Sequence, residues 1–322
     1  MSTATENTDT ALAMIFPGQG SQSVGMLAEL ADHHPQVDET FSEASDMLGY
    51  DLWQLVNSGP ADELNQTDRT QPAMLTAGVA VWRVWRANKG PLPAVMAGHS
   101  LGEYTALVCA GAIDFADAVK LVEERGRCMQ RAVPDGTGAM AAILGLDDNA
   151  VIEVCREAEE GSVVSAVNFN SPGQVVIAGN TGAVQRATQL AKERGAKRAV
   201  QLPVSVPSHC VLMKPAAEEF AGHLREIAIT KPAIPVLQNV DVQAHDEPDA
   251  IRDMLARQLY SPVQWVRTVE AMRERGITRL IEAGPGKVLA GLAKRIDRKI
   301  AAQPVFDTES LAAALNLSLI HI

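Results

Sequence analysis

Three times along the chain a short apolar run ends in a glycine loop and gives way to a helical pattern. ALAMIF leads into PGQGSQ, LPAVMAG into HSLGEY, and ITRLIEAG into PGKV. Short, mainly apolar runs of this length, separated by helix-length segments, predict buried strands of a mainly parallel sheet with helices on both faces. Such a sheet binds ligands outside the carboxyl ends of its strands, so chemistry is expected at the three glycine loops. A further strand is expected in PAIPVLQNV. Helices are expected in LGEYTALVCAGAI, LVEERGRCMQRA, MKPAAEEFAGHLREI, WVRTVEAMRERG and KVLAGLAKRI.

Residues 133–206 change character. The order there is strand TGAMAAILGL, helix DDNAVIEVCREAEE, strand VVSAVNF, turn NSPG, strand QVVIAG, helix TGAVQRATQLAKERG, strand AKRAVQLPV. This is βαββαβ, the split ferredoxin-like motif, with Ser171-Pro172-Gly173 closing the central hairpin. Pro134-Asp135-Gly136 and the stretch from Pro203 to Pro207 are the expected crossing points. The expected division is a core of residues 1–132 and 207–322 with an inserted subdomain of residues 133–206.

With 28 basic and 39 acidic residues the net charge is −11, which argues against a general nucleic-acid binder and leaves room for a local basic patch. Cys109, Cys128, Cys155 and Cys210 have no metal-ligand spacing, so no metal is expected and a reducing compartment is. The N-terminus lacks the basic cluster of a signal peptide. The uncharged stretch 161–185 is broken throughout by Asn, Ser, Gly and Pro, and no membrane segment is expected. The closing LSLIHI reads either as an added tail or as a final strand.

Gly98-His99-Ser100-Leu101-Gly102 fits G-x-S-x-G at a strand-to-helix corner, where a serine is held strained and exposed at a helix N-terminus. An ordinary tight turn with a serine cap fits the pentapeptide too. Phe16-Pro17-Gly18-Gln19-Gly20-Ser21-Gln22 suggests phosphate binding, but Ser23 stands where a dinucleotide loop needs its third glycine, and no Walker lysine follows. A glycine loop beside a nucleophile has another use, holding an oxyanion on its N–H groups.

On the helix expected from Asp114 to Arg131, Ala118, Leu121, Arg125 and Cys128 share one stripe, so Arg125 points inward. A guanidinium there needs a carboxylate partner or a route to solvent. His209, in the apolar VPSHCVLM, is the best available base for Ser100, although a satisfied structural histidine also fits. His33, His34, His223, His245 and His321 read as solvated, the His99 ring as turned away from Ser100, and Cys210 as a buried thiol.

Taken together, FPGQGSQ, GHSLGEY, the inward Arg of VEERG, VPSH, QLYSPVQW and EAGPGKVL resemble the malonyl-CoA:acyl carrier protein transacylases of bacterial type II fatty-acid synthesis. The motifs run in family order from about Phe16 to Ala314. The resemblance implies an α/β fold: an α/β-hydrolase-like core with a ferredoxin-like insert. It implies Ser100 as the acylated nucleophile and His209 as its base. Arg125 would pair with the malonyl carboxylate, Gln19 and Leu101 would supply oxyanion N–H groups, and Gln258 would orient His209 through its backbone carbonyl. Ser208 stands where some relatives carry Phe, which bears on the acyl pocket.

The implied partners are malonyl-CoA and an acidic acyl carrier protein, met by Lys192, Arg194, Lys197 and Arg198 or by Lys287, Lys294, Arg295 and Arg298. The expected protein is a cytoplasmic monomer without a cofactor. The competing readings are a serine thioesterase or esterase on the same core and a non-catalytic carrier-binding module. An inward Arg125 argues against the first, and intact Ser100 and His209 against the second.

Overall fold

The computed structural model of the chain describes residues 8–134, 136–204 and 206–319. Among these, nine strands form two sheets: β1 (Thr8–Phe16), β2 (Leu92–Gly98), β3 (Gly138–Leu144), β4 (Val164–Ser171), β5 (Gln174–Asn180), β6 (Arg198–Gln201), β7 (Val236–Leu237), β8 (Arg279–Ala283) and β9 (Ala301–Val305). The larger sheet has the order β7-β2-β1-β8-β9, and every pair in it is parallel. The smaller is antiparallel with the order β4-β5-β3-β6, as a ferredoxin-like βαββαβ unit requires.

β1 explains why the larger sheet is covered on both sides. Its Leu12, Met14 and Phe16 join one apolar cluster, while Ala13 and Ile15 join another on the opposite face. The first face is packed by the long helix Thr67–Ala87, buried over most of its length. The second is packed by helices Trp265–Glu274 and Val288–Ile296. Helices Asp148–Ala158 and Thr181–Glu193 cover the smaller sheet through a separate core that includes Val151, Ile177 and Val184. The smaller sheet is tied to the core through the loop before helix Trp265–Glu274, where Val263 N–H donates to the Val167 carbonyl and Phe169 N–H to the Val263 carbonyl, at 2.8 and 3.0 Å.

Three details depart from the sequence expectation. PAIPVLQNV gives only the two-residue edge strand β7, because Pro232 and Pro235 lack the N–H that a longer ladder needs. β9 was not foreseen, and its AAQPV run, with Pro304 inside, is tolerated at a sheet edge. In the closing run, residues 317–319 end the helix Thr308–Leu319 and do not begin a strand. Residues 320–322, with His321, and Asp135 of the expected first crossing point lie outside the described residues.

Candidate active site

β2 ends at Gly98 and the next helix begins at Gly102, leaving His99, Ser100 and Leu101 to turn the corner. Ser100 has a φ of 52°, a left-handed conformation that a residue with a Cβ adopts only when its surroundings impose it. The flanking glycines are required by contact. A Cβ on Gly98 would collide with the Gly102 backbone, and one on Gly102 would collide with the Phe16 carbonyl. Gly18 has the same role in the neighbouring loop, since a Cβ there would run into the His99 carbonyl. The first two glycine loops are thus pressed together at the ends of β1 and β2. The third loop joins them, because Gly284 leaves room for the Pro17 ring, and the buried Glu282 carboxylate caps helix Val288–Ile296 by accepting from Leu289 and Ala290 N–H.

His209 reaches the elbow from the opposite side of the cleft. Its Nε2 lies 2.8 Å from Ser100 Oγ, and its Nδ1 lies 2.8 Å from the main-chain carbonyl of Gln258. A carbonyl only accepts, so Nδ1 carries the proton and Nε2 presents its lone pair to the serine hydroxyl. Burial pushes the His209 pKa down to about 3, and the positive charge of Arg125 adds to the effect. The imidazole is therefore neutral at physiological pH and able to take a proton. Among the described residues no carboxylate occupies the third position of a triad. The Gln258 carbonyl fixes the tautomer instead.

Arg125 is almost wholly buried in helix Phe115–Ala132, on the stripe with Ala118, Leu121 and Cys128. In place of the carboxylate partner or route to solvent expected of an inward guanidinium, Arg125 meets two amide oxygens. Nη1 donates to Gln71 Oε1 at 2.8 Å and Nη2 to Gln258 Oε1 at 3.0 Å, while Nη2 also lies 3.4 Å from Ser100 Oγ. The Tyr104 ring lies beneath the guanidinium, 5.3 Å from ring centroid to its central carbon. Among the described residues no carboxylate is ion-paired with Arg125, and its Nε is buried without a partner. A planar cation held this way, beside the serine hydroxyl and short of an anion, matches a carboxylate on the incoming acyl group.

These side chains open on a cavity of about 520 Å³ between the two sheets, lined by Gln19, Leu101 and Arg125 from the core and by Met140, Asn168 and Leu202 from the smaller sheet. Among the described residues neither the Gln19 nor the Leu101 backbone N–H has an acceptor within the protein. That leaves both available to an oxyanion. Glu103, absent from the sequence candidates, is fully buried, and its pKa is raised to about 7. Burial is the main cause; the Asn239 N–H, the Gln258 and Gln238 amides and the Arg125 charge oppose it. Gln71 and Asn239 also escape the sequence reading. Each is a buried polar residue in an apolar setting, a signal present in the chain without its partner.

The remaining candidates are structural. His99 Nε2 donates to Asn170 Oδ1 at 2.8 Å, and the ring packs on Trp265. Cys210 is buried, with its pKa raised to about 11 by burial, so it is not a thiolate. His245 pairs with Asp241 at 2.8 Å. Cys128, Glu219 and His223 bring three potential ligand atoms within 4.8 Å of one another. The Arg131 guanidinium already bonds Cys128 Sγ and Glu219 there, which fills the position a cation would take.

A serine on a strained strand-to-helix elbow, a neutral histidine at its hydroxyl and spare N–H groups beside it define a serine acyl-transfer enzyme. The chain belongs to the acyl transferase domain family, which matches residues 13–308. It is 61% identical over 308 residues to the malonyl CoA-acyl carrier protein transacylase of Escherichia coli strain K12, covering 96% of this chain and all of that one. Among solved structures it is similar to an acyl carrier protein S-malonyltransferase from Vibrio cholerae (61% identity, TM-score 0.92, 94% of this chain and 99% of that one). It is also similar to a malonyl-transacylase in complex with its type II polyketide acyl-carrier protein (58% identity, TM-score 0.94, 95% and 99%).

Proposed function

We propose that the protein moves malonyl from malonyl-CoA to the phosphopantetheine thiol of an acyl carrier protein through an ester on Ser100. The observation that carries this reading is Arg125, buried, free of any bonded carboxylate and 3.4 Å from Ser100 Oγ. His209 Nε2 takes the hydroxyl proton as Ser100 Oγ attacks the thioester carbonyl. The carbonyl oxygen becomes an oxyanion held by the Gln19 and Leu101 N–H groups, each worth about 2.7–4 kcal/mol in comparable sites. The C–S bond then breaks, and the coenzyme A thiolate leaves with the proton from His209. In the second half the carrier thiol gives its proton to His209, attacks the ester, and Ser100 is released with that proton returned. A thioester carbonyl is activated enough that these steps call on no metal or cofactor.

The cleft supports a division of labour in which the core, residues 1–132 and 207–322, supplies Ser100, His209, Arg125 and Gln258, and the inserted subdomain, residues 133–206, supplies the opposite wall. No helix among the described residues is long and apolar enough to cross a membrane. The expected setting is cytoplasmic fatty-acid synthesis, with the enzyme acting as a monomer.

The test is intact mass after mixing with malonyl-CoA, followed by addition of holo carrier protein. One malonyl group mapped to Ser100 and then passed to the carrier is the expected result. Label appearing as free malonate at the same rate would point to a thioesterase, and no label on protein or carrier to a binding module.

A further inference from the structure

A buried pair away from the cavity bonds the backbone on which Ser100 sits. The side chain of Asn239, just past β7, spans the elbow. Its Oδ1 accepts the Ser100 N–H at 2.7 Å, and its Nδ2 donates to the Gly98 carbonyl at 2.7 Å. An amide can satisfy this N–H and this C=O in only one orientation, so both peptides flanking His99 are fixed by one side chain. Asn239 is itself held from the far side, where its backbone N–H donates to Glu103 Oε2 at 2.7 Å. Glu103 stands in the first turn of the helix that Ser100 introduces, so the loop of contacts closes on itself. Its own N–H donates to the Ser100 carbonyl at 3.1 Å.

We propose that Glu103 and Asn239 form a latch that holds Ser100 in the strained conformation needed for acylation, and that both are positioning residues for acyl-ester formation. The inference rests on Ser100 being the nucleophile. Without the Asn239 amide, the His99–Ser100 peptide loses its acceptor and the backbone is free to relax toward negative φ. That rotation would carry Oγ off the His209 Nε2 and turn the Leu101 N–H away from the cavity. Asn239 bonds only the elbow backbone and Glu103, so its removal leaves the pocket for the acyl carboxylate in place, whereas Glu103 also meets the Gln258 amide and the Arg125 charge.

What the latch needs from Glu103 is an acceptor for the Asn239 N–H. Gln238 Nε2 approaches Glu103 Oε1 at 3.3 Å, while Gln238 Oε1 is buried without a partner among the described residues. A glutamine at 103 would keep the acceptor for Asn239. Its own amide NH₂ would then face the orphaned Gln238 oxygen once that amide turns over. An alanine would supply neither.

The experiment is the single-turnover rate of ester formation with malonyl-CoA, by rapid quench and intact mass, beside amide hydrogen exchange at residues 100–103. Asn239→Ala and Glu103→Ala are expected to slow acylation on the order of 10²-fold, the scale of a small misplacement of a reacting group, and in Asn239→Ala half-saturation by malonyl-CoA should stay within about two-fold of wild type. Exchange at residues 100–103 should quicken in both, and Glu103→Gln should restore rate and protection to within about three-fold. Wild-type acylation in Asn239→Ala, unchanged exchange, or failure of Glu103→Gln to rescue would overturn the latch. Should Asn239→Ala not fold, the contrast between Glu103→Gln and Glu103→Ala decides. A wild-type protein that gains no malonyl on Ser100 would sink the nucleophile reading, and the exchange data would still judge the latch.

Discussion

Gln258 touches Arg125 and His209 through different atoms: its Oε1 accepts from the Arg125 guanidinium at 3.0 Å and its main-chain carbonyl accepts from His209 Nδ1 at 2.8 Å. Its Nε2 also donates to the Ser100 carbonyl at 3.1 Å. One buried residue at the end of helix Pro248–Gln258 thus touches His209, Arg125 and the Ser100 peptide at once. The resemblance in sequence implies only the carbonyl contact, from which a mild Gln258→Ala phenotype would follow.

The structure changes that expectation. Gln258→Ala keeps the carbonyl on His209 but strips an acceptor from Arg125, and hydrogen bonds to charged groups are worth about 1.5–3 kcal/mol. The variant should lose roughly 10-fold or more in kcat/KM for malonyl-CoA, with a smaller loss for acetyl-CoA. His209→Ala should lose 10²–10⁴-fold for both substrates, as removal of a general base does. Equal losses with both acyl groups in Gln258→Ala would show that its side chain serves Ser100 alone.

How much of this was legible depends on where each residue's partner lies. Ser100 announces itself because its glycines and its strand and helix are within a few residues. Arg125 announces itself because a helix stripe is local. Asn239 meets Ser100 across 139 residues and Gln71 meets Arg125 across 54, so nothing near either in sequence marks its role. Glu103 lies inside GHSLGEY, yet its burial is a property of the packed helix rather than of the motif. The helix Thr67–Ala87 is buried on most sides, so it lacks the polar face that betrays an amphipathic helix. β9, rich in Ala and carrying Pro304, has too little β propensity to be read as a strand.

Glu103 should also leave a mark on stability. Its pKa is raised by burial from 4.5 to about 7, so the folded state binds more protons than the unfolded between those values. Its contribution is therefore fully present below about pH 4.5 and is lost as pH rises through about 7. His209 acts in the opposite sense: with its pKa lowered from 6.5 to about 3, its contribution is present above about pH 6.5 and is lost as pH falls toward 3. Glu103→Gln removes only the first effect. Its stability relative to wild type should rise between pH 4.5 and 7, by at most about 1.4 kcal/mol per pH unit for one proton. Denaturant melts at pH 4.5, 5.5 and 7 would read this, and a constant difference across the three would refute it.

Carrier docking needs a basic surface on a chain of net charge −11. Both candidate clusters are exposed. β6, which begins at Arg198, runs on to Leu202 at the cavity wall, and the helix after Lys287 faces the smaller sheet, where Arg295 donates to Gln174 Oε1 at 2.7 Å. Arg194 is already paired with Glu157, which leaves Lys192, Lys197 and Arg198 as the stronger members of the first cluster. Charge reversal in the true patch should raise the carrier KM on the order of 10-fold and flatten its salt dependence, with acylation by malonyl-CoA unchanged. Steady-state assays at two ionic strengths would check it, and no shift from either cluster would exclude both.

The sharpest test of substrate is at Arg125. Its guanidinium is held by two neutral oxygens and a ring, an arrangement that leaves its charge uncompensated by direct contact until a carboxylate arrives. A bidentate pair with malonyl would be shorter and stronger than a neutral hydrogen bond. Removing one partner of such a buried pair costs about 3–5 kcal/mol, so Arg125→Ala should lose roughly 10²–10³-fold or more in kcat/KM for malonyl-CoA. Acetyl-CoA has no carboxylate to strand, and its transfer should hold or improve. Arg125→Lys should recover only part of the malonyl rate, because an ammonium cannot hold both Gln71 and Gln258 while presenting a planar fork. The measurement is the ratio of malonyl to acetyl transfer in wild type and in each variant. A ratio that survives Arg125→Ala would make the arginine a packing residue, and the choice of malonyl would then have to come from elsewhere in the cleft.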